Sequence, residues 1–248
     1  MGELAGLDPG VADVWWARRQ DASAHHAGLL DDTEQQRWAA YQRDDDRQRF
    51  LVGCALAKTV LAGYAGRRPA DVSFDRTCGE CGKPHGKPVT RGGDLRHSVS
   101  HSGDLVAVAV ARTAVGVDVE QLDGRPHPVG GDGNPQALAR LVMADGEQTA
   151  LAAVRPSARA HAFLIAWTRK EAVTKATGDG LRVSFSDVVV AGAHGAPRLV
   201  SWPYPQAPQS VSLRDLEVET GYVAALAVIG RCDSVRVRDG SALLAAGS

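Results

Sequence analysis

Residues 162–171 read AFLIAWTRKE, and residues 49–58 read RFLVGCALAK. Each stretch opens an apolar-periodic run of good helix formers. Each run then meets glycine: Gly63 and Gly66 in the first, Gly178 and Gly180 in the second. Behind the glycines stands the same tripeptide in strand-like surroundings, Val72-Ser73-Phe74 and then Val183-Ser184-Phe185. A polar turn and an alternating strand follow in both places, SHSGDLVAVAV at 100–110 and VETGYVAALAV at 218–228. Helix, glycine turn, strand, turn and strand thus occur twice in one order at a near-constant offset, as expected of a duplicated α/β unit. The expected fold is α/β (α+β) and pseudo-dimeric, with similar halves at residues 1–115 and 116–248 related by internal duplication.

The chain has 248 residues, room for two halves of that kind, and 44% of them are hydrophobic. Formal net charge is −1, so nothing global draws the chain to nucleic acid or to an anionic membrane, and neither is an expected partner. Any anionic ligand must be held by local clusters. No apolar run approaches the roughly 18 residues of a membrane-spanning helix. The first residues, MGELAGLDPGVADVWW, are acidic and lack the layout of a signal peptide, so a cytoplasmic location is expected. A chain that is already an internal pseudo-dimer has little need of a second copy, and a monomer is expected. Residues 123–136, DGRPHPVGGDGNPQ, are dense in Gly and Pro and read as a surface loop between the copies. Two packed copies leave a cleft at their seam, a common place for a ligand.

Three stretches carry chemistry. Residues 115–124, VGVDVEQLDG, form an apolar strand interrupted by acids. Asp118 and Glu120 are two apart on it, so they point the same way about 7 Å apart. Two carboxylates on one face are tolerable with a cation between them, and hard oxygen ligands suit Mg²⁺ or Mn²⁺. The plainer alternative is a strand end in solvent with Glu120 capping a turn. Residues 166–181, AWTRKEAVTKATGDGL, read as a helix ended by Gly178 or Gly180. Trp167, Glu171 and Lys175 fall at i, i+4 and i+8, on one face. With Trp167 packed inside, Glu171 is a third carboxylate for the cation and Lys175 a point charge for phosphate; the alternative is a surface Glu171–Lys175 pair. Lys170, one residue aside, would reach the cleft edge. Residues 97–105, HSVSHSGDL, place Ser100, His101 and Ser102 in a turn that is either a phosphate nest or a plain polar hairpin. Upstream, Gly86-Lys87-Pro88 sets a lysine on a rigid loop, and Arg76 and Arg37 add basic groups to the first half. Cys78, Cys81 and His85 supply three of the four ligands a closed zinc site wants, so a surface turn is the simpler expectation for CGECGKPH.

Together these stretches resemble the surfactin-synthetase-type 4′-phosphopantetheinyl transferases. The resemblance rests on Gly116-Val117-Asp118-Val119-Glu120, on Trp167-Thr168-Arg169-Lys170-Glu171-Ala172 followed by Lys175, Gly178, Gly180 and Leu181, on Ser100-His101-Ser102, and on Gly86-Lys87-Pro88, all in the family's order. It implies a pseudo-dimeric fold that binds coenzyme A and moves its phosphopantetheine arm to a serine of an acyl or peptidyl carrier protein. By matched position, Asp118, Glu120 and Glu171 would be Mg²⁺ ligands and Lys175 a pyrophosphate contact. Ser100 and His101 would hold phosphates, Lys87 and Pro88 with Arg76 and Arg37 the nucleotide end, and Lys170 the cleft side. Glu147 matches a glutamate proposed to take the serine proton in relatives; a metal-bound water or Glu171 is the alternative. Ser98 stands where the family often has asparagine. Arg125, Arg140, Arg155 and Arg159 would form a docking rim for an acidic carrier. The rival classes are a Mg²⁺-dependent hydrolase of nucleotide diphosphates, which needs no protein acceptor, and a non-catalytic coenzyme A-binding module.

Overall fold

A computed structural model describes residues 4, 6–84, 86–122, 135–192, 195–204 and 210–246, the side chains of 135–137 and 181 excepted. His85, Arg125 and the loop from 123 to 134 lie outside the described residues. The chain divides into two compact units, Met1–Val115 with Cys232–Ser248, and Gly116–Arg231.

The first unit contains β1 (Val11–Arg18), α1 (Asp32–Ala40), α2 (Asp44–Ala65), β2 (Phe74–Asp75), β3 (Val89–Thr90), β4 (Arg96–Ser102) and β5 (Leu105–Ala111). The second contains β6 (Val115–Gln121), α3 (Pro135–Val142), α4 (Asp145–Ala153), α5 (Arg159–Thr177), β7 (Val189–Val190), β8 (Leu199–Ser201), β9 (Val211–Asp215) and β10 (Tyr222–Ile229). The chain then adds β11 (Ser234–Asp239) and α6 (Gly240–Ala246) to the first unit.

Each unit packs a long helix on a sheet, as the repeat requires, and the sheet of the first unit is mixed, antiparallel but for β11. In the first, the strand order is β11-β1-β5-β4. Helix α2 buries Leu56, Val60 and Leu61 in a core with Val106, Val108 and Val110 of β5. All seven residues of β5 are buried, so the LVAVAVA alternation is one of side-chain size, not of exposure. In the second unit the order is β6-β10-β9. There α5 places Phe163, Trp167 and Ala176 in a core with Leu213, Ala225 and Ala227.

Three expectations change. The segment from Cys232 on belongs to the first unit, not to a half spanning 116–248. Its strand β11 runs parallel beside β1, from Ser234 opposite Val11 to Asp239 opposite Trp16. The reason is electrostatic as well as topological. Asp13 of β1 is fully buried, and β11 brings Arg236 to 2.5 Å and Arg238 to 3.3 Å from its carboxylate. Second, Ser100, His101 and Ser102 do not form a turn; they are the last residues of β4, paired to Ala107, Val106 and Leu105. The turn is the next pair, Gly103-Asp104. Third, Val183-Ser184-Phe185 is not a strand, and the strand β7 starts at Val189. Val72, Phe74, Val183 and Phe185 are instead matched buried anchors of the two cores.

One close approach locks β6 in place. A Cβ on Gly116 would lie 2.0 Å from Ala172 O and 2.5 Å from Ala176 N of α5. Only a hydrogen fits between the strand and the helix backbone. Gly116→Ala is therefore expected to destabilise the protein by about 2 kcal/mol or more, the scale of core overpacking. Urea unfolding checks this; an unchanged midpoint would mean that the helix shifts without cost.

Candidate active site

Helix α5 is rotationally fixed by its aromatic residue. Trp167 is buried, with its ring centroid 6.3 Å from Phe163 and 5.1 Å from Phe185. With Trp167 inward, Glu171 and Lys175 follow on the same face one and two turns later. The helix stops just beyond them, where Gly178 adopts φ 86° and its N–H bonds to Thr174 O.

The face so placed meets β6. Lys175 Nζ donates to Asp118 Oδ1 at 2.6 Å. Asp118 is 3% exposed, whereas Glu120, Glu171 and Lys175 are partly exposed. Burial pushes the Asp118 carboxyl up to about 7; Lys175 opposes that rise, and the nearby charges of Glu120 and Glu171 add to it. Burial acts to lower the Lys175 ammonium, but the summed attraction of Asp118, Glu171 and Glu120, with the hydrogen bond to Asp118, holds it above its ordinary value. These four residues therefore influence one another electrostatically.

As placed, the carboxylates do not surround a common point: among the described residues no group of three or more His, Cys, Asp or Glu is arranged to hold a metal ion. The chemistry of the donor set nevertheless fits a hard divalent cation. Its members are oxygen donors whose mutual repulsion already raises the proton affinity of Asp118.

Lys170 is not at a cleft edge. It is 0% exposed, and its three donors meet Glu147 Oε2 at 2.5 Å, Phe185 O at 2.7 Å and Val142 O at 2.9 Å. An ammonium has three N–H bonds, so none is left for a ligand. Glu147 is buried with it, and its Oε2 also accepts from Ala144 N and its Oε1 from Val190 N. Both residues are thus internal fasteners in this structure, and neither the proton-accepting role expected of Glu147 nor the ligand contact expected of Lys170 fits their hydrogen bonding.

The first unit contains the same fastener. Glu34 is 0% exposed and its Oε2 lies 2.8 Å from Lys58 Nζ, while Lys58 also donates to Leu29 O at 2.7 Å. Glu34 bonds back to Asp31 N as Glu147 does to Ala144 N, each three residues into the start of its helix. Glu34 and Glu147 stand 113 apart, as do Leu29 and Val142. Sequence reading missed both pairs. The capping-box spacing of Asp31 and Glu34 was the available signal.

The remaining candidates of the first unit are distributed as follows. Lys87 is half-buried and donates to Val115 O at 3.2 Å. Burial, with a smaller push from Arg96, lowers its ammonium to about 8. Pro88 beside it is partly exposed, Ser100 is buried and His101 exposed, on opposite faces of β4. Arg76 turns inward, 3.7 Å from Glu34 Oε1 and over the Phe74 ring at 5.7 Å. Arg37 Nη2 donates to Pro84 O at 2.6 Å. Cys78 and Cys81 lie on a surface turn, in no disulfide.

Comparison with known proteins identifies the family. Residues 114–227 match the 4′-phosphopantetheinyl transferase superfamily, and residues 14–113 match the N-terminal region of a 4′-phosphopantetheinyl transferase. The 4′-phosphopantetheinyl transferase HetI of Nostoc sp. strain PCC 7120 is 30% identical over 82% of this chain and 80% of its own length. The enzyme psf-1 of Bacillus pumilus is 31% identical over 69% of this chain and 68% of its own. A Bacillus subtilis 4′-phosphopantetheinyl transferase is 24% identical over 82% and 85%. The chain belongs to the 4′-phosphopantetheinyl transferase superfamily and is a transferase.

Two outcomes are expected from the site. Lys170→Met leaves buried Glu147 without its cation and Lys58→Met leaves buried Glu34 only Arg76 at 3.7 Å, so stability should fall by about 3–5 kcal/mol in the first and by less in the second, read from denaturant midpoints. A ligand-binding Lys170 would leave the midpoint unchanged. The pH dependence follows from Asp118. Its folded-state value, about 7, lies above the 3.8 of an ordinary aspartate. The folded form therefore holds the proton more tightly, and the stability contributed is full below pH 3.8 and lost as pH rises through 7. In metal-free buffer Asp118→Asn should remove that part of the pH slope, so its stability relative to the parent should rise from pH 5 to pH 8, measured by thermal unfolding across pH.

Proposed function

We propose that this protein transfers the 4′-phosphopantetheine arm of coenzyme A to a serine hydroxyl of an acyl or peptidyl carrier protein, releasing adenosine 3′,5′-bisphosphate, with Mg²⁺ or Mn²⁺ as its metal ion. Family membership supports the reaction class. The observation that carries the residue assignment is the Lys175–Asp118 contact within the field of Glu120 and Glu171. The substrate is a diphosphate ester attacked by a weak nucleophile, so negative charge must be neutralised as the bond to the leaving nucleotide breaks.

Asp118, Glu120 and Glu171 would hold the metal, which when bound supplies Lewis acidity at the diphosphate. Lys175 leaves Asp118 for a phosphate oxygen, gaining a partner of higher charge. Glu171, partly exposed, takes the serine proton in place of Glu147, whose oxygens are engaged inside the unit. In the first unit, Lys87, Pro88, Ser100 and His101 contact the coenzyme, with Arg37 and Arg76 as further cations. Arg140 and Arg155 are exposed and suit an acidic carrier. Arg159 instead donates to Val154 O and Ala152 O of its own unit.

The test is the mass of a purified apo carrier protein after incubation with this protein, coenzyme A and Mg²⁺. One phosphopantetheine per carrier, on serine and abolished by a metal chelator, is the expected result. Coenzyme A cleavage with no mass gain on any carrier type would instead identify a hydrolase. Asp118→Ala, Glu171→Ala and Lys175→Ala should each slow transfer by about 10²-fold or more while remaining folded. Near-normal transfer by Glu171→Ala would rule out the three-carboxylate assignment.

A further inference from the structure

The CGECGKPH stretch has no part in the proposed transfer, yet its two thiols are set up for chemistry of their own. Cys78 is half-exposed and Cys81 exposed. The chain between them is a tight turn. Gly82 N–H donates to Cys78 O at 2.9 Å, and Cys78 N–H to Lys83 O at 2.9 Å. The turn places both thiols in one short hydrogen-bonded loop, where the Cys78 thiol has the Cys81 and Glu80 amides and, more weakly, the Cys81 thiol as hydrogen-bonding neighbours. Those amides, that of Cys81 first, hold the Cys78 thiol below its ordinary range.

The other two cysteines are inert by contrast. Cys54 is buried and its thiol is pushed up to about 12, first by that burial and then by Glu34; Cys232 is buried as well. Among the described residues no third His, Cys, Asp or Glu joins the turn to make a metal-holding group.

We infer that Cys78 and Cys81 form a thiol–disulfide exchange site for low-molecular-weight disulfides, closing to an internal bridge across the turn. Cys78 is the attacking thiolate. It bonds to one sulfur of the small disulfide, whose S–S bond breaks to release one thiolate. Cys81 gives up its proton to solvent and attacks Cys78 Sγ, and the second small thiolate leaves. The two protein thiols are oxidised to one disulfide, the small disulfide is reduced to two thiols, and the protons from the protein balance the two thiolates released. The bridge would stiffen a loop already tied at both ends. Gly86 N–H donates to Arg76 O at 2.7 Å, and Pro84 O accepts from Arg37. Neither metal nor coenzyme A takes part, so this inference stands or falls apart from the transfer reading.

The test uses the folded full-length protein, glutathione disulfide as the oxidant, N-ethylmaleimide as the quench, and peptide mass mapping. The expected product has lost two hydrogens, carries no maleimide on either residue, and shows a Cys78–Cys81 cross-linked peptide. In Cys81→Ser the reaction should stop with one glutathione on Cys78. In Cys78→Ser, glutathione addition to Cys81 should be about tenfold slower, because the amide-assisted thiolate is gone. Three results would overturn the inference: both thiols still alkylated after excess oxidant, a mixed disulfide persisting in the parent protein beside an alkylatable Cys81, or thiols shielded from both reagents until a chelator strips a bound metal. Should a serine variant fail to fold, the parent protein's cross-link map decides alone.

Discussion

A hydrogen atom separates the strand β6 from the helix α5. At Gly116 any side chain would strike Ala172 O or Ala176 N, so the two backbones touch. That contact fixes both the depth and the register of the strand against the helix. Two residues along, Asp118 then falls beside Lys175, and its burial follows from the same closeness. The valines at 115, 117 and 119 hold the strand in the core. The acid between them is kept in a place where its ionised form is costly unless a cation is near. A strand that stood further off, with a side chain at 116, would let water reach Asp118 and relax the electrostatics on which the site is built.

A second constraint acts inside each unit. A glutamate three residues into a short helix meets a lysine of the following long helix, and the lysine also grips the carbonyl five residues before that glutamate. Buried charge of this kind adds little net stability but makes any other arrangement expensive, because removing one partner strands the other. It therefore sets how the short helix, the long helix and the chain before them are arranged. In the second unit the long helix carries one more pair of charged residues on an adjacent face, Glu171 and Lys175, and these face β6 rather than the fastener. The fastener Lys170 and the Asp118-bound Lys175 thus sit five residues apart on one helix, sorted only by the direction in which each points.

Local geometry accounts for the acids and lysines of the second unit more fully than for the basic groups of the first. Arg76 is engaged with Glu34, and Arg37 with a loop carbonyl. Ser100 and His101 alternate across β4, so one is buried and the other exposed. A ligand that used Arg76 and Arg37 would draw on groups now engaged inside their own unit.

The sequence by itself determined the repeated helix and strand units, the face shared by Trp167, Glu171 and Lys175, and the end of α5 at Gly178. Each of these is a local matter of periodicity or of a glycine at a helix end, and such signals lie within a few residues of one another. Only the tertiary structure decided that Lys170 turns into the core while Glu171, one residue on, turns toward Asp118: neighbouring helix positions differ by about 100° of rotation, and packing chooses between them. It also decided that Glu147 is a fastener, that Ser100 and His101 lie in a strand, and that the chain's last strand returns to Asp13 of the first. Except for the β4 hairpin, whose partners are only five to seven residues off, those choices depend on partners tens to hundreds of residues away, and no local pattern can name the partner that satisfies a buried charge.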